Sequence, residues 1–224
     1  MSTEPRDPGS RRPVGPGRSP QRATAPGGAG RVIAGVARGR RLAAPGAGTR
    51  PLTDRLKQSL FAIIEPEIRD RAFLDLFAGS GAAGIEALSR GAASAVFVEK
   101  HPGAVHMVER NLRTSSLLGA RARIVPKDVI GWLSTPDAQT GTFAAILVDP
   151  PYDRPDLLRR TVHAVAEAGP GAILATDGVL IAKHFRKDAP SGKVGLLRSD
   201  REERFGDTML TFYRWSAVEG EEDR

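Results

Sequence analysis

Short apolar runs alternate along the chain with longer stretches in which apolar residues recur every three or four positions. The runs predict buried β-strands at FLDLF (73–77), AVFVEK (95–100), ARIVP (122–126), FAAILV (143–148) and GVLIAKHF (178–185). The stretches between them predict a helix over IEALSR, after the loop AGSGAAG, and helices over Pro102–Leu118, Val129–Leu133 and Pro155–Ala168. Strands that alternate with helices in this way are typical of a parallel, doubly wound α/β sheet.

The region before residue 73 has a different pattern. Gly and Arg are interleaved with Val, Ile and Leu in RVIAGVARGRRLAAP (31–45), which predicts a short β-hairpin. Thr53 is a suitable N-cap for a helix with an apolar stripe, and Pro66 predicts that this helix ends just before it. The sequence therefore predicts a small N-terminal extension made of a hairpin and a helix.

Two further strands are expected near the C-terminus. They are Val194–Arg198 and Met209–Trp215, which flank a polar turn and predict a hairpin. Together with the five runs above, they predict a mostly parallel sheet of seven strands.

Composition divides the chain into four parts. Residues 1–30 are rich in Pro, Gly and Arg and poor in apolar residues, which predicts a disordered basic tail. Residues 31–70 form the extension, residues 71–216 form the α/β domain, and residues 217–224 form an acidic tail.

The chain contains no cysteine. This excludes disulfides, thiolate–metal sites and any mechanism with a cysteine nucleophile, and it favours a reducing compartment. The N-terminus has no apolar signal-peptide core, and no apolar run approaches the ~18 residues of a membrane span. We therefore expect a cytoplasmic protein that does not enter a membrane.

The net charge is +7, with 33 basic and 26 acidic residues, and a basic excess favours polyanionic partners. Much of the positive charge is concentrated between residues 31 and 57, where the only acid is Asp54. The basic residues there are Arg31, Arg38, Arg40, Arg41, Arg50, Arg55 and Lys57.

A glycine loop follows the first predicted strand of the α/β domain. Gly79 to Gly84 fit the pattern GxGxxG between a strand and a helix, and Glu99 ends the next strand 20 residues after Gly79. A carboxylate at Glu99 can accept hydrogen bonds from both ribose hydroxyls, so a nicotinamide dinucleotide and S-adenosylmethionine both fit. Asp75 favours S-adenosylmethionine, because a carboxylate suits the ammonium group of its methionine part and repels a pyrophosphate.

A second motif, VDPPY (148–152), ends the fourth strand. Proline cannot extend a sheet, and ligands of doubly wound sheets bind beyond the carboxyl ends of the strands. Asp149 offers one hydrogen-bond acceptor. Pro151 holds Pro150 extended, so that the Pro150 carbonyl offers another, and Tyr152 offers a flat ring. Two acceptors and a ring suit the exocyclic amine of a nucleobase, which attacks a methyl group once both of its N–H groups are held.

These motifs together resemble the amino-directed class I methyltransferases. The order RVIAGVARGRRL, RPLTDRLKQSLF, FLDLFAGSGAAGIEALSRGA, DPPY and FGDTMLTFY is similar to the RsmD family over residues 31–215. The resemblance implies methylation of the N2 amine of a guanine in 16S ribosomal RNA. It also implies S-adenosylmethionine as cofactor, and free 16S rRNA or a small-subunit particle as partner.

Carried over by position, the resemblance implies three sets of site residues. The acceptor base would be held by Asp149, Pro150, Pro151 and Tyr152. S-adenosylmethionine would be held by Asp75, Phe77, Gly79, Gly81, Glu99, Lys100, Asp128 and Val129. RNA would be contacted by Arg31, Arg38, Arg40, Arg41, Arg50, Thr53 and Arg55. On its own, Asp128 before Val-Ile-Gly-Trp indicates a helix cap.

The chain departs from the family pattern at Leu52 and Gln58, where relatives often carry Thr and Glu, and at Lys183, where an acid is common. We expect none of the three to touch the methyl-transfer residues. The four histidines show no metal-binding spacing, so no metal is expected, and the protein is expected to be a monomer.

Three other functions remain open from the residues alone. The first is a methyltransferase for an adenine or cytosine amine in DNA or RNA, because the DPPY argument does not distinguish among amines. The second is a nicotinamide-dependent oxidoreductase, which would leave Asp75 and DPPY without a role. The third is an RNA-binding module without catalysis.

Overall fold

A computed structural model of the protein describes residues 30–44, 52–139 and 141–216. The helices are α1 (Asp54–Ile68), α2 (Ala82–Ser89), α3 (Pro102–Thr114), α4 (Val129–Leu133) and α5 (Pro155–Ala168). The strands are β1 (Ala72–Leu76), β2 (Ser94–Val98), β3 (Ala122–Val125), β4 (Phe143–Val148), β5 (Leu174–Phe185), β6 (Lys193–Val194), β7 (Leu197–Phe205) and β8 (Thr208–Trp215). The described residues do not include Arg50 or residue 45, the last residue of the predicted hairpin. They also exclude the predicted acidic tail and all but the last residue of the predicted basic tail.

The strands form one sheet in the order β3-β2-β1-β4-β5-β8-β7-β6. Strands β1 to β5 pair in parallel, and β5–β8, β8–β7 and β7–β6 pair antiparallel. This confirms the predicted doubly wound, mostly parallel α/β fold. The described part of the chain has eight strands instead of seven, because the two-residue strand β6 pairs separately with β7.

Side chains of alternate sheet residues enter two hydrophobic cores, one on each face. On one face, residues such as Phe73, Phe97 and Leu147 pack with α1, α2 and α3. On the other face, residues such as Leu74 and Ile146 pack with α4 and α5. Because β1, β2 and β4 are covered on both faces, they are mostly apolar, which is why they could be predicted from the sequence, whereas the edge strand β3 is partly exposed.

The N-terminal segment forms a minimal version of the predicted hairpin, in which the Val32 N–H donates to the Arg40 carbonyl and the Leu42 N–H to the Gly30 carbonyl, both at 2.9 Å. Its only bridge within the described residues joins Arg31 to Arg41. The carboxylate of the fully buried Glu86 on α2 accepts the backbone N–H groups of Ile33 and Ala34, at 2.8 and 3.0 Å. These N–H groups are therefore satisfied by a helix side chain, and a second strand is not needed to pair with them.

Helix α1 begins as predicted, because the Thr53 hydroxyl accepts the N–H of Leu56 at 3.2 Å. Its predicted end before Pro66 was wrong, since the helix continues to Ile68 with Pro66 inside. Proline removes one helical hydrogen bond, but the extra turn buries Ile68 completely and pairs Glu67 with Arg214.

Three other predicted boundaries were wrong by four residues or more. Strand β5 begins at Leu174 and not at the predicted Gly178. Helix α3 ends at Thr114, four residues before the predicted Leu118, because Ser116 adopts a left-handed φ of 57°. The charged segment 199–205 is strand and not turn: β7 runs to Phe205, and Gly206 and Asp207 make the turn. The charges fit a strand because they face solvent and pair, as Arg201 does with Glu203 and Asp200 with Arg214.

Candidate active site

The candidate site lies beyond the carboxyl ends of β1 and β4. These two strands are neighbours in the sheet, but β2 and β3 lie on one side and β5 on the other, so the strand order reverses between them. Leu76 and Val148 are paired at the strand ends, and the Asp149 N–H donates to the Leu76 carbonyl at 3.4 Å. A cavity of about 930 Å³ opens at this edge.

The cavity brings together most of the residues expected to bind the cofactor and the acceptor base. It is lined by Asp75, Phe77, Gly79, Glu99, Lys100, Val129, Asp149, Pro150, Pro151 and Tyr152. Gly81 and Asp128 are adjacent in the chain to lining residues and act as N-caps of α2 and α4. Leu52, Lys183 and Phe185 also line the cavity, although the sequence did not assign them to the site.

The glycine loop makes a tight turn from β1 into α2. Phe77, Gly79 and Gly81 have left-handed φ angles of 62°, 56° and 75°, and the Gly81 N–H donates to the Ala78 carbonyl at 2.7 Å. Gly84 is required for a different reason: a Cβ there would lie 2.2 Å from the Phe97 ring. The turn places Gly79 and Ser80 in the lining of the cavity, and the glycines allow its left-handed backbone.

Glu99 holds the loop in place from the end of β2. Its Oε2 accepts the Gly79 N–H at 3.0 Å and its Oε1 accepts the His101 N–H at 2.8 Å. The residue is only 7% exposed, and it lines the cavity. Each carboxylate oxygen can accept a second hydrogen bond, so Glu99 can still bind two hydroxyl groups of a ligand.

Asp75 is the most deeply buried acid of the site, at 2% exposure. Its Oδ2 accepts the Gly84 N–H at 2.9 Å. The pKa of Asp75 is raised to about 8, chiefly by burial and also by the charges of Asp149 and Glu99, against the lowering effect of the Gly84 hydrogen bond. A cationic group in the cavity would relieve this accumulation of negative charge.

Asp149 does not stand alone at the end of β4. The Lys183 Nζ lies 2.6 Å from the Asp149 Oδ1, and the lysine side chain is 4% exposed. The expectation that Lys183 would not touch the methyl-transfer residues was therefore wrong. The reason is strand register: Leu147 pairs with Ile181, so the residues two positions further along, Asp149 and Lys183, are also level.

Tyr152 is held by three neighbours. Its ring stacks on Phe185, with ring centroids 4.0 Å apart and an interplanar angle of 24°. The Lys183 Nζ lies 4.6 Å from the Tyr152 ring centroid, and the tyrosine hydroxyl lies 3.3 Å from the Thr208 hydroxyl. Tyr152 and Phe185 together make an aromatic wall of the cavity.

Asp128 caps α4, as its sequence context indicates. Its Oδ1 accepts the N–H groups of Ile130 and Gly131 at 3.1 and 3.2 Å. Its Oδ2 lies 3.9 Å from the Nζ of Lys100, which lines the cavity. One oxygen of Asp128 is thus used in the cap, and the other faces the cavity side of the helix.

The basic residues predicted to contact RNA are spread along the extension. Arg31 pairs with Asp54 at 3.1 Å, and Arg55 is exposed on the first turn of α1, close to the cavity residue Leu52. Arg38 lies near the C-terminal end of α2, because the Ala37 N–H donates to the Ser89 hydroxyl at 2.9 Å. That end of α2 is opposite the cavity. The remaining exposed members are Arg40 and Arg41.

Two further findings concern the described residues only. They contain no group of three or more His, Cys, Asp or Glu side chains that could hold a metal ion. None of their helices is both long enough and apolar enough to cross a membrane.

The chain was compared with known proteins. The family model described as conserved hypothetical protein 95 matches residues 30–214. Ribosomal RNA small subunit methyltransferase D of Escherichia coli is 41% identical over 141 residues, covering 62% of this chain and 68% of that protein. The Bacillus subtilis protein YlbH is 37% identical over 185 residues, covering 82% and 98%. The solved structure of Escherichia coli yhhF has a TM-score of 0.71 and 32% identity, covering 84% and 98%.

Proposed function

The chain belongs to the family described as conserved hypothetical protein 95, the RsmD family, and on that premise we propose that it is an S-adenosylmethionine-dependent methyltransferase of 16S ribosomal RNA. The amine that it methylates is the exocyclic N2 of a guanine. The observation that carries this proposal is the convergence of Asp75, Glu99 and Asp149 on one cavity between the glycine loop and DPPY.

The residues of the glycine-loop side fit S-adenosylmethionine. Asp75 is a buried acid whose charged neighbours within the described part of the chain, Asp149 and Glu99, are both acidic, which suits an ammonium group. Glu99 has free acceptor capacity for two ribose hydroxyls, and Lys100 and Val129 lie on the same side of the cavity. When bound, S-adenosylmethionine supplies an electrophilic methyl group to the acceptor nitrogen.

The residues of the DPPY side hold the acceptor. Asp149 accepts one N–H of the amine, and the Pro150 carbonyl accepts the other, which directs the nitrogen lone pair toward the methyl donor. Holding the reacting atoms in line supplies much of the rate enhancement, up to ~7–11 kcal/mol for well-aligned reactions. Asp149 is also the nearest base for the proton that the amine loses. The aromatic wall of Tyr152 and Phe185 contacts the base, which must leave its stack to enter.

The exposed arginines of the extension provide the RNA contacts. Arg31, Arg40, Arg41 and Arg55 neutralise phosphates, and this makes RNA affinity dependent on salt. The partner is 16S rRNA, free or in the small-subunit particle, which places the enzyme in the cytoplasm with the ribosome. The enzyme acts as a monomer and uses no metal.

The test supplies the purified protein with labelled S-adenosylmethionine and undermodified small-subunit RNA, either free or assembled, and maps the product by mass. We expect one N2-methylguanine in the 16S RNA. Asp149→Asn should abolish transfer while S-adenosylmethionine affinity stays within a few-fold, and Asp200→Asn, an exposed acid on β7, should behave like the wild type. Methylation of an adenine or cytosine, or comparable turnover by Asp149→Asn, would contradict the proposal.

A further inference from the structure

Two charged residues, Asp149 and Lys183, form a row at the end of the sheet, on the face that α1, α2 and α3 cover, and Asp75 lies on the same face two positions earlier along the strands. Asp75 on β1 pairs in register with Leu147 on β4, and Leu147 pairs with Ile181 on β5. Asp149 and Lys183 follow those two residues by two positions and so point to the same face. Lys183 is the cation of this row.

The surroundings of Lys183 are mostly apolar, because the preceding residues of β5 on this face, Val179 and Ile181, are fully buried. Burying an ammonium group is strongly unfavourable unless the group is paired. The Nζ has two neighbours in the acceptor site, the Asp149 Oδ1 at 2.6 Å and the Tyr152 ring at 4.6 Å. Both neighbours belong to the DPPY motif.

An apolar side chain at position 183 would fill this place in the sheet without the cost of burying a charge. The lysine is therefore better explained by what it does to Asp149 and Tyr152 than by packing. We propose that Lys183 is a positioning residue of the acceptor site, an inference that rests on the proposed function.

Lys183 acts on both groups that hold the base. Its ammonium occupies the Asp149 Oδ1 and fixes the carboxylate, so that the Oδ2 is presented to the amine of the guanine. The same ammonium lies against the Tyr152 ring, which is stacked on Phe185, and keeps that ring from turning into the space that the base enters. Lys183 thus orients the acceptor without itself taking part in methyl or proton transfer.

The experiment measures kcat with undermodified small-subunit RNA for Lys183→Met, which keeps the length of the side chain, and for Lys183→Ala, which leaves room for a small amine. Lys193→Met, at an exposed lysine on β6, is the matched control. We expect kcat to fall about 10- to 100-fold in both Lys183 variants, the range for a lost charge-assisted hydrogen bond, while S-adenosylmethionine affinity is unchanged. Added methylammonium or ethylammonium should restore activity to Lys183→Ala but not to Lys183→Met.

A Lys183→Met enzyme with the kcat of the wild type would overturn the proposal. So would a fall in kcat that no alkylammonium ion reverses, since that result indicates packing alone. The wild-type protein is assayed before the variants. If it methylates neither free nor assembled 16S RNA, the proposed function fails, and the role proposed for Lys183 fails with it.

Discussion

Glu99 fastens the end of β2 to the glycine loop, because its carboxylate accepts the Gly79 N–H at 3.0 Å as well as the His101 N–H at 2.8 Å. The residue proposed to bind the ribose is thus also the residue that shapes the loop beside it. Removing it should affect the binding site in two ways, through the lost ligand contact and through a looser loop.

Glu99→Ala should lower S-adenosylmethionine affinity by a factor of ten or more, since a hydrogen bond to a charged group contributes roughly 1.5–3 kcal/mol. Isothermal calorimetry measures this directly. Glu109→Ala, at an exposed glutamate on α3 that pairs with Arg113, is the control and should bind normally. Equal affinity in the Glu99 variant would remove this residue from the cofactor site.

Asp75 should make the stability of the ligand-free protein depend on pH. Its pKa rises from 3.8 to about 8 on folding, so between these values the folded state holds a proton that the unfolded state has lost. Stability therefore falls as pH rises through this window and levels off above about pH 8. Urea unfolding should show Asp75→Asn gaining stability relative to the wild type from about pH 5 to about pH 8. A difference that does not vary with pH would mean that Asp75 titrates normally.

Gly84→Ala should destabilise the fold, because the added Cβ would lie 2.2 Å from the Phe97 ring. Overpacking of this kind costs about 1–3 kcal/mol, more than the ~1 kcal/mol that alanine gains over glycine in a helix. Gly131→Ala, on α4 with nothing near its Cβ, should be neutral or stabilising. Urea unfolding of the two variants compares them, and equal stability would show that Phe97 moves aside freely.

Glu86→Ala should release the N-terminal segment. The buried carboxylate accepts from Ile33, Ala34 and the Arg90 side chain, so its loss leaves two part-buried backbone N–H groups without their acceptor, while Arg90 keeps its pairing with Glu65 at 2.7 Å. We expect a loss of about 1–3 kcal/mol, the cost of leaving buried hydrogen-bond donors unsatisfied, and faster tryptic cleavage after Arg38 or Arg40. The Glu109→Ala control, an exposed pair, should lose at most about 1 kcal/mol. Cleavage at the wild-type rate would show that other contacts hold the segment.

The strands and helices that carry the site were predictable because each follows a local rule. Strand β4 and helix α5 have the predicted bounds, since one is a continuous buried run and the other an amphipathic helix that begins at Pro155. The conformation of the segment 31–42 was not predictable, because the N–H groups of Ile33, Ala34 and Ala37 donate to Glu86 and Ser89, more than 50 residues away. Strand β7 is longer than predicted, because the charged residues along it are typical of a turn.

The residues of the site also divide into those that local sequence predicts and those that depend on distant parts of the chain. Asp75, Glu99 and Asp149 could be found because each ends or interrupts an apolar strand near a recognisable motif. Lys183 could not be assigned to the site from its own surroundings, since it contacts Asp149 only through the pairing of β4 with β5. Aligning FAAILV with GVLIA as neighbouring strands would have placed the two charges level.

Helix α1 and the segment before it share one hydrophobic core with α2 and the sheet, as Leu60, Phe61 and Phe73 show. During synthesis, these first residues leave the ribosome well before α2 and β4 exist to cover them. The apolar face of α1 therefore stays uncovered until more than half of the chain has been synthesised. An excised 71–216 fragment would expose the apolar surface that α1 covers in the full chain. We expect such a fragment to self-associate. The small extension is therefore part of the folding unit and not a separable segment.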